Sequence, residues 1–395
     1  MIGARAVYLC DGVRTPFGRY RGGLSTVRTD DLAALPLRHL MQRHPALNAF
    51  IDEVLLGCAN QAGEDNRNVA RMSALLAGLP VSVPAVTVNR LCASGLEAVG
   101  QAARAIALGE ADVALAGGVE GMSRAPYVLG KADAAFDREQ QLHDTTLGWR
   151  FVNPAMRALH GIDSMTQTAE HLAREHGIAR VDQDAYALRS QQRTARAIAD
   201  GRLAAEILPV GACVADEQPR PDTTLAGLDA LAPLLGAEGT VTAGNASGLN
   251  DGACALLLAS EDAVARHGLQ PRARVLGMAA AGVPPRTMGL GPVPAIERLL
   301  QRSGLDLDAF DHIEINEAFA AQVLACTRAL GLQDDTERVN PNGGALALGH
   351  PLGASGARLA LTAMNALQRR DADRTLVAMC VGVGQGVAMA LEKVQ

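Results

Sequence analysis

The chain has 395 residues, which is enough for two or three domains. Its apolar content of 48% and charged content of 20% are typical of a soluble globular protein, and no apolar run reaches membrane-spanning length. The formal net charge of −6 gives no sign of a basic nucleic-acid surface, although a few local arginines can still hold an anionic ligand.

The seven cysteines lie far apart and form no Cys-x-x-Cys pair, so we expect neither a zinc knuckle nor a redox motif, and no bound metal. The first nine residues carry one arginine and no long apolar stretch, which is unlike a signal or transit peptide. We therefore expect a reducing, cytoplasmic location and neither a membrane nor a nucleic acid as partner.

Short apolar runs alternate with helical patterns along the first part of the chain. Strands are predicted at 6–9, 53–56, 83–88 (as a buried strand) and 112–116, and helices at 30–44, 66–77 and 94–108. Gly78 and Gly109 mark two of the helix ends. Strands that alternate with helices indicate a mostly parallel sheet covered on both faces.

The same alternation returns after residue 250. Strands are predicted at 253–258, 273–278, 312–315 and 376–380, and helices at 318–330, 354–367 and from Pro294 onward. An Ala-Ser-Gly triplet opens a helix in each half, at 93–95 and at 354–356. With matching elements on either side, the triplets suggest a duplicated α/β unit.

Between these halves the alternation breaks down over residues 119–249, with helices indicated near 166–176 and 183–201. This stretch is too long for a plain loop and predicts an inserted lid or substrate-covering domain. We therefore divide the chain into an N-terminal half (1–118 and 250–270), an inserted loop domain (119–249) and a C-terminal half (271–395).

The first motif that could carry chemistry is Asn89-Arg90-Leu91-Cys92-Ala93-Ser94-Gly95, between a predicted strand and a predicted helix. It places the Cys92 thiol at a helix N-terminus, where unpaired N–H groups and the helix dipole favour the thiolate. A buried structural cysteine is the commoner fate of any one cysteine, so Cys92 alone does not define a nucleophile.

Three further motifs lie at predicted strand ends or helix starts. A glycine-rich segment, 340–353, contains His350, which could equally be a solvated loop histidine. Cys380 ends a strand and is followed by alternating glycines from Gly382, but no long helix follows, which argues against a dinucleotide loop. Asn316 could simply cap the helix that follows it.

The four motifs are more informative together than alone. The strand ends and helix starts that carry Cys92, Asn316, His350 and Cys380 converge on one face of a duplicated α/β framework. Three alternatives remain open at this point. A β-ketoacyl synthase-type condensing enzyme shares a duplicated fold and a cysteine nucleophile, a cysteine hydrolase would pass the acyl group to water, and a non-catalytic coenzyme A-binding protein would have no reason to keep Cys92, His350 and Cys380 together.

The whole chain resembles the thiolase family. The motifs that carry the resemblance are the Cys92 motif, Gly117-Gly118-Val119-Glu120-Gly121-Met122-Ser123, Asn245-Ala246-Ser247-Gly248, Asn316-Glu317-Ala318-Phe319-Ala320, Gly349-His350-Pro351 and Cys380-Val381-Gly382-Val383-Gly384-Gln385-Gly386. The resemblance implies an α/β fold of two βαβαβαββ halves in a five-layered α/β/α/β/α core with an inserted loop domain. It also implies a homotetramer or homodimer, with the strand before the cysteine helix at the dimer interface.

The resemblance implies a role for each candidate catalytic residue. Cys92 would accept the acyl group, and Cys380 would move a proton on and off the α-carbon of acetyl-CoA. His350 would activate Cys92, and Asn316 would position a water beside His350 in one oxyanion hole. The backbone N–H groups of Cys92 and Gly382 would form a second oxyanion hole.

Coenzyme A enters as a co-substrate and not as a permanently bound cofactor. By position, Arg220 matches the family's arginine near the nucleotide end, and Ala243 and Ser247 match its pantetheine-contacting loop. Thr223 is a further nucleotide-side candidate. Met165 and Phe319 are candidates for contact with the acyl group.

One departure bears on the substrate. Many acetoacetyl-CoA thiolases carry His-Met where this chain has Ser164-Met165, whereas the stretches 145–154 and 161–165 are similar to the 3-oxoadipyl-CoA thiolases of aromatic-compound degradation. That substrate ends in a carboxylate, and we hypothesise that Arg150 or Arg157 pairs with it. We therefore expect cleavage of 3-oxoadipyl-CoA to acetyl-CoA and succinyl-CoA, with an acetoacetyl-CoA thiolase as the alternative.

Overall fold

The computed structural model describes residues 5–369 and 372–394. Within them the strands are β1 (Val7–Arg14), β2 (Gly18–Arg19), β3 (Glu53–Gly57), β4 (Ala85–Val88), β5 (Val113–Gly121), β6 (Tyr127–Leu129), β7 (Leu142–Asp144), β8 (Asn250–Ser260), β9 (Ala273–Gly282), β10 (His312–Ile315), β11 (Arg374–Val381) and β12 (Gln385–Lys393). The α-helices are α1 (Thr29–Arg43), α2 (Val69–Ala77), α3 (Ser94–Leu108), α4 (Pro154–His160), α5 (Met165–Glu175), α6 (Arg180–Ala199), α7 (Leu225–Asp229), α8 (Glu261–His267), α9 (Pro292–Ser303), α10 (Ala320–Ala329), α11 (Ala345–Leu348) and α12 (Leu352–Arg369).

The large sheet consists of two half-sheets that meet at β1 and β9. The strands follow the order β4-β3-β5-β8-β1 in one half and β10-β11-β12-β9 in the other, and Leu9 pairs with Ala273 where they meet. Val339, in the segment after α10, forms a parallel bridge with Ile313 of β10. In the first half, β4 pairs with β3 in the same parallel way. Each half therefore repeats one topology, and the predicted duplication is confirmed.

Three hydrophobic cores build five layers. The central core holds α3 and α12 between the two half-sheets. A second core packs α1 and α2 on the outer face of the first half-sheet, and a third packs α9 and α10 on the outer face of the second. This is the predicted α/β/α/β/α arrangement. Because the chain has few aromatic residues, Ala, Val and Leu side chains fill most of the core.

The two central helices approach each other through the duplicated glycines. A Cβ on Gly95 would lie 2.4 Å from the carbonyl oxygen of Gly353, and one on Gly356 would lie 2.5 Å from the backbone nitrogen of Leu96. No other residue type fits such an approach without movement of the backbone. The repeated Ala-Ser-Gly triplets therefore mark the place where α3 and α12 cross. The crossing brings the N-terminal regions of the two helices close to each other.

Several predicted elements differ from the structure. The strand predicted as buried at 83–88 is β4, which is the outermost strand of its half-sheet and leaves Val86 38% exposed. The helix expected to open at Pro294 begins at Pro292, because either proline can occupy the first turn. The strand β12 was not predicted, because the alternating glycines that lead into it, from Gly382 to Gly386, resembled a loop.

The stretch 119–249 contains the hairpin of β6 and β7 and the helices α4 to α7. Its two longest helices, α5 and α6, pack against α10 of the C-terminal half. The division of the chain into three domains stays a prediction. Among the described residues, no helix combines the length and apolar character needed to cross a membrane.

Candidate active site

Cys92 lies in a tight turn of 3-10 helix between β4 and α3. Asn89 accepts from the backbone N–H of Leu91 at 2.9 Å, and Ser94 Oγ accepts from the N–H of Arg90 at 2.9 Å and donates to the carbonyl of Leu91 at 2.6 Å. Leu91 has a φ of 46°, which a branched side chain adopts only when its surroundings force it. The polar residues of the motif thus hold a strained turn that presents the thiol.

Arg90 connects this turn to the C-terminal half of the molecule through a hydrogen bond. Its Nε donates to Glu97 at 2.9 Å, and its Nη1 donates to the side chain of Gln385, at the start of β12, at 2.8 Å. The N–H of Gly382, in the loop before β12, points at the Cys92 sulfur and is one of the groups that lower its pKa. The thiol and the glycine loop after Cys380 are therefore close in space, as predicted from the sequence.

His350 is 5% exposed. Its Nδ1 lies 2.6 Å from Ser355 Oγ, which also lies 2.9 Å from the carbonyl oxygen of Pro351. When the hydroxyl donates to that carbonyl, it accepts from Nδ1–H, and Nε2 carries the lone pair. Asn250 holds the backbone of the histidine by accepting its N–H at 2.9 Å.

Asn316 faces the same imidazole from the end of β10. Its Nδ2 lies 3.4 Å from His350 Nε2, and its Oδ1 is buried without a hydrogen-bond partner among the described residues. A buried amide oxygen of this kind is satisfied by an ordered water or a ligand. Asn316 and His350 together thus form a small polar site in otherwise apolar surroundings.

Glu317, next to Asn316, ties the glycine-rich loop to the inserted domain. Its carboxylate accepts from Tyr186 at 3.0 Å and Ser190 at 2.7 Å on α6, and from Asn340 at 3.0 Å and the N–H of Leu346 at 3.1 Å. Burial raises the pKa of Glu317, while these hydrogen bonds oppose the shift. The four bonds fix the segment that leads to His350.

Cys380 is the penultimate residue of β11 and is 1% exposed. It belongs to a small apolar cluster with Phe319, Met288 and Val241, and Met165 at the start of α5 packs against that cluster. Burial raises the pKa of the Cys380 thiol well above its ordinary value, and charge on the nearby Cys92 would raise it further. The second thiol therefore lies beside the first, with both acyl-contact candidates, Met165 and Phe319, next to it.

The electrostatics correct one expectation. Burial raises the pKa of Cys92 to about 11, despite the Gly382 N–H, so the helix N-terminus does not make it a resting thiolate. Burial, with the charge of Arg358 as a second cause, lowers the pKa of His350 to about 3. At neutral pH the site therefore holds two protonated thiols and a neutral imidazole.

Two of the four coenzyme A candidates, Ala243 and Ser247, lie on one loop beside this site. The backbone N–H of Ser247 donates to the carbonyl of Ala318 at 2.9 Å, and Ala246 bridges Phe319, so this loop is attached to the Asn316 segment. Ala243 is exposed just before it.

Arg220 and Thr223 lie in the segment before α7. The backbone N–H of Arg220 donates to Gln191 at 2.8 Å, and Thr223 Oγ1 donates to the carbonyl of Arg220 at 2.7 Å. The side chain of Arg220 is exposed. No contact in the described residues assigns a ligand to it.

The two arginines suggested for a substrate carboxylate have other surroundings. Arg150 is half-buried and donates from Nη2 to Asn60 Oδ1 at 3.1 Å, and Arg157 is exposed on α4. Neither is among the residues around the cleft beside Met165. Their proposed role stays a prediction.

Sequence reasoning missed three residues of the site. Ser355 fixes the His350 tautomer, Asn250 holds the His350 backbone, and Met288 lines the apolar cluster at Cys380. Ser355 could have been found from its place in the second Ala-Ser-Gly triplet, five residues after the histidine. Asn250 and Met288 come from distant segments and leave no local signal.

Two family models match the chain and together cover most of it. The thiolase N-terminal domain matches residues 7–262, and the thiolase C-terminal domain matches residues 269–393. The chain therefore belongs to the thiolase family. It is an acyltransferase that acts on acyl-CoA thioesters and uses coenzyme A as a co-substrate.

Individual relatives within the family carry names that refer to particular substrates. The chain is 63% identical to a beta-ketoadipyl-CoA thiolase of Pseudomonas aeruginosa, covering 99% of this chain and 100% of the relative. It is 60% identical, with the same coverage, to the 3-oxoadipyl-CoA/3-oxo-5,6-dehydrosuberyl-CoA thiolase of Escherichia coli. The solved Bacillus anthracis acetyl-CoA acetyltransferase superposes with a TM-score of 0.92 at 38% identity, covering all of both chains.

Proposed function

We propose that this thiolase cleaves 3-oxoadipyl-CoA with coenzyme A to acetyl-CoA and succinyl-CoA. The observation that carries the proposal is the identity of 58–63% over nearly the full chain with relatives named beta-ketoadipyl-CoA thiolase. The two thiols, the neutral histidine and the apolar cluster supply the groups that this chemistry needs.

The first half of the reaction breaks the carbon–carbon bond. His350 Nε2 takes the thiol proton of Cys92, whose sulfur attacks the 3-oxo carbon of the substrate. The carbon–sulfur bond forms first and leaves a negative oxygen on C3. Its return to a carbonyl breaks the bond between C2 and C3, and Cys380 gives its proton to C2 of the resulting enolate. Acetyl-CoA leaves, and a succinyl group remains on Cys92.

The second half regenerates the enzyme. The thiol of coenzyme A gives its proton to the Cys380 thiolate, and its sulfur attacks the succinyl carbonyl. As the bond to Cys92 breaks, the imidazolium of His350 returns the proton to the Cys92 sulfur. Each residue ends in the protonation state in which it began, so no further reactant is needed.

Two sets of donors would stabilise negative oxygens along this path. A water on Asn316, together with His350, is suited to the thioester oxygen of the acetyl-CoA enolate, since Asn316 Oδ1 is buried and unpaired among the described residues. The N–H groups of Cys92 and Gly382 are suited to the oxygen on the carbon bound to sulfur. Loss of one such donor in other enzymes costs about 3 kcal/mol of barrier.

Coenzyme A would lie across the inserted domain, with its pantetheine along Ala243 and Ser247 and its nucleotide near Arg220 and Thr223. The attachment of the Ser247 loop to Ala318 supports the first part, because it places that loop beside the reacting groups.

All seven cysteines are free thiols, which agrees with a reducing compartment such as the cytoplasm.

We also propose that the protein assembles as a homodimer or homotetramer. The edge strand β4 leaves Val86 38% exposed, and the hairpin of β6 and β7 leaves Tyr127 67%, Leu129 58% and Leu142 65% exposed. An unpaired edge and an apolar hairpin are surfaces that other copies of a chain commonly cover.

The alternative is an acetoacetyl-CoA thiolase, which the resemblance to the Bacillus anthracis structure favours. Cleavage of 3-oxoadipyl-CoA and acetoacetyl-CoA by coenzyme A, with Cys92→Ser and Cys380→Ser as controls, separates the two. Faster cleavage of the dicarboxylate substrate, lost in both variants, supports the proposal. Faster cleavage of acetoacetyl-CoA refutes the substrate assignment, and a fully active Cys380→Ser refutes the two-thiol mechanism.

A further inference from the structure

A cleft opens next to the reaction centre, between the inserted domain and the C-terminal half. It is lined by Trp149, His160, Gly161, Asp163, Met165, Thr168, Pro285, Arg286 and Val383. Val383 directly follows Gly382, and Met165 also packs against the cluster that contains Cys380. An acyl group that extends away from Cys92 therefore has this cleft as a neighbouring space.

One wall of the cleft carries more hydrogen-bond donors than acceptors. Arg286 Nε donates to Asp163 Oδ2 at 2.8 Å, while its Nη2 lies 2.8 Å from His171 Nε2. Arg174 Nη2 lies 2.6 Å from the other ring nitrogen of His171. A neutral imidazole has one acceptor nitrogen, so both arginine contacts cannot be hydrogen bonds.

The arrangement that satisfies the histidine leaves Arg286 short of partners. His171 Nε2 lies 3.2 Å from Asp163 Oδ2, so Nε2–H can donate to that carboxylate while Nδ1 accepts from Arg174. Arg286 then has one hydrogen-bond acceptor, Asp163, to which its Nε donates. Its Nη1 has no partner among the described residues. Its side chain is 59% exposed, so the unpaired edge of the guanidinium can reach a ligand.

A second arginine lies near the cleft, since Arg174 contacts the other ring nitrogen of His171. Glu170, the neighbour of His171 on α5, directs its carboxylate to Thr240 and to the N–H of Val241, at 2.7 to 2.8 Å. The oppositely charged side chains that line the cleft itself are Asp163 and Arg286.

We propose that Arg286 binds the terminal carboxylate of the acyl group and so sets the preference for a dicarboxylate substrate. The inference rests on the proposed function and specifies the residue behind it. The planar guanidinium suits a carboxylate through two parallel N–H bonds, and Asp163 holds it by Nε so that the Nη edge faces the ligand.

The test compares 3-oxoadipyl-CoA with 3-oxohexanoyl-CoA, which has a methyl group in place of the carboxylate. Arg286→Ala should lower kcat/KM for the dicarboxylate about tenfold or more and leave the neutral substrate almost unchanged. Arg286→Lys should lose part of the preference, because it keeps the charge but not the fork. Arg302→Ala, which removes an exposed arginine from α9, is the matched control and should change neither substrate.

The outcomes separate the inference from the proposed function. A wild-type preference for the dicarboxylate that Arg286→Ala abolishes supports both. A preference that survives Arg286→Ala, or that is lost in Arg150→Ala or Arg157→Ala instead, overturns the role of Arg286 and leaves the function in place. An equal loss on both substrates shows a structural role and overturns the inference, and a wild type without the preference overturns both.

Discussion

The Ser355 hydroxyl offers the sharpest test of how the histidine is prepared. Ser355→Ala removes the acceptor that holds His350 Nδ1–H at 2.6 Å. The buried N–H then either stays unpaired, at a cost of about 1–3 kcal/mol, or moves to Nε2, where it blocks acceptance of the Cys92 proton. Because about 1.4 kcal/mol changes a rate tenfold, we expect kcat to fall about 10- to 100-fold.

Steady-state thiolysis of 3-oxoadipyl-CoA and acetoacetyl-CoA measures the effect. KM should change little, because Ser355 is buried in α12 and reaches the substrate only through His350. Ser355→Thr keeps the hydroxyl and should recover much of the lost rate. Thr362→Ala on the same helix removes a hydroxyl bonded to Glu206 and should lower stability without the loss of kcat.

A second readout distinguishes positioning of the histidine from damage to the fold. Acylation of Cys92 by succinyl-CoA, measured in a single turnover, should slow as much as kcat does, since both depend on the same proton transfer. A Ser355→Ala variant with the wild-type kcat, or one whose rate falls only in proportion to the loss of folded protein, would refute the reasoning.

Two other predictions follow from the same structure. The pKa of His350 is lowered to about 3 in the fold, against about 6.5 when unfolded, so the unfolded chain binds more protons between these values. The free energy of unfolding should therefore fall on acidification below about pH 6.5, by up to about 1.4 kcal/mol per pH unit from this group, and less steeply in His350→Asn. Gly95→Ala would place a Cβ 2.4 Å from the Gly353 carbonyl oxygen and should cost about 1–3 kcal/mol of stability in urea unfolding, and an unchanged midpoint would show that α3 and α12 can separate.

Local sequence signals predicted the framework of the site well. The helix predicted at 94–108 is α3 (Ser94–Leu108), because Gly109 provides a left-handed end with a φ of 83° that few other residues adopt. The strand predicted at 312–315 is β10 (His312–Ile315), and Asn316 directly follows its end as expected. These features depend on neighbours in the chain, so the sequence carries them directly.

The properties that depend on distant segments could not be predicted in this way. The helix N-terminus suggested a lowered pKa for Cys92, but the fold surrounds the thiol with apolar groups from both halves and raises that pKa to about 11. Arg286 had no motif to mark it, and its contacts with Asp163 and His171 come from residues more than a hundred positions away. Burial and long-range pairing decide both, and neither has a local pattern.

The most direct test of the central claim is to find which sulfur carries the acyl group. The wild-type protein is incubated with succinyl-CoA, quenched in acid and digested, and the peptides are analysed by mass spectrometry. We predict a succinyl group on Cys92 alone, removed by added coenzyme A and absent from Cys92→Ala. Succinylation of Cys380 instead, or a label on Cys92 that coenzyme A does not remove, would contradict the account.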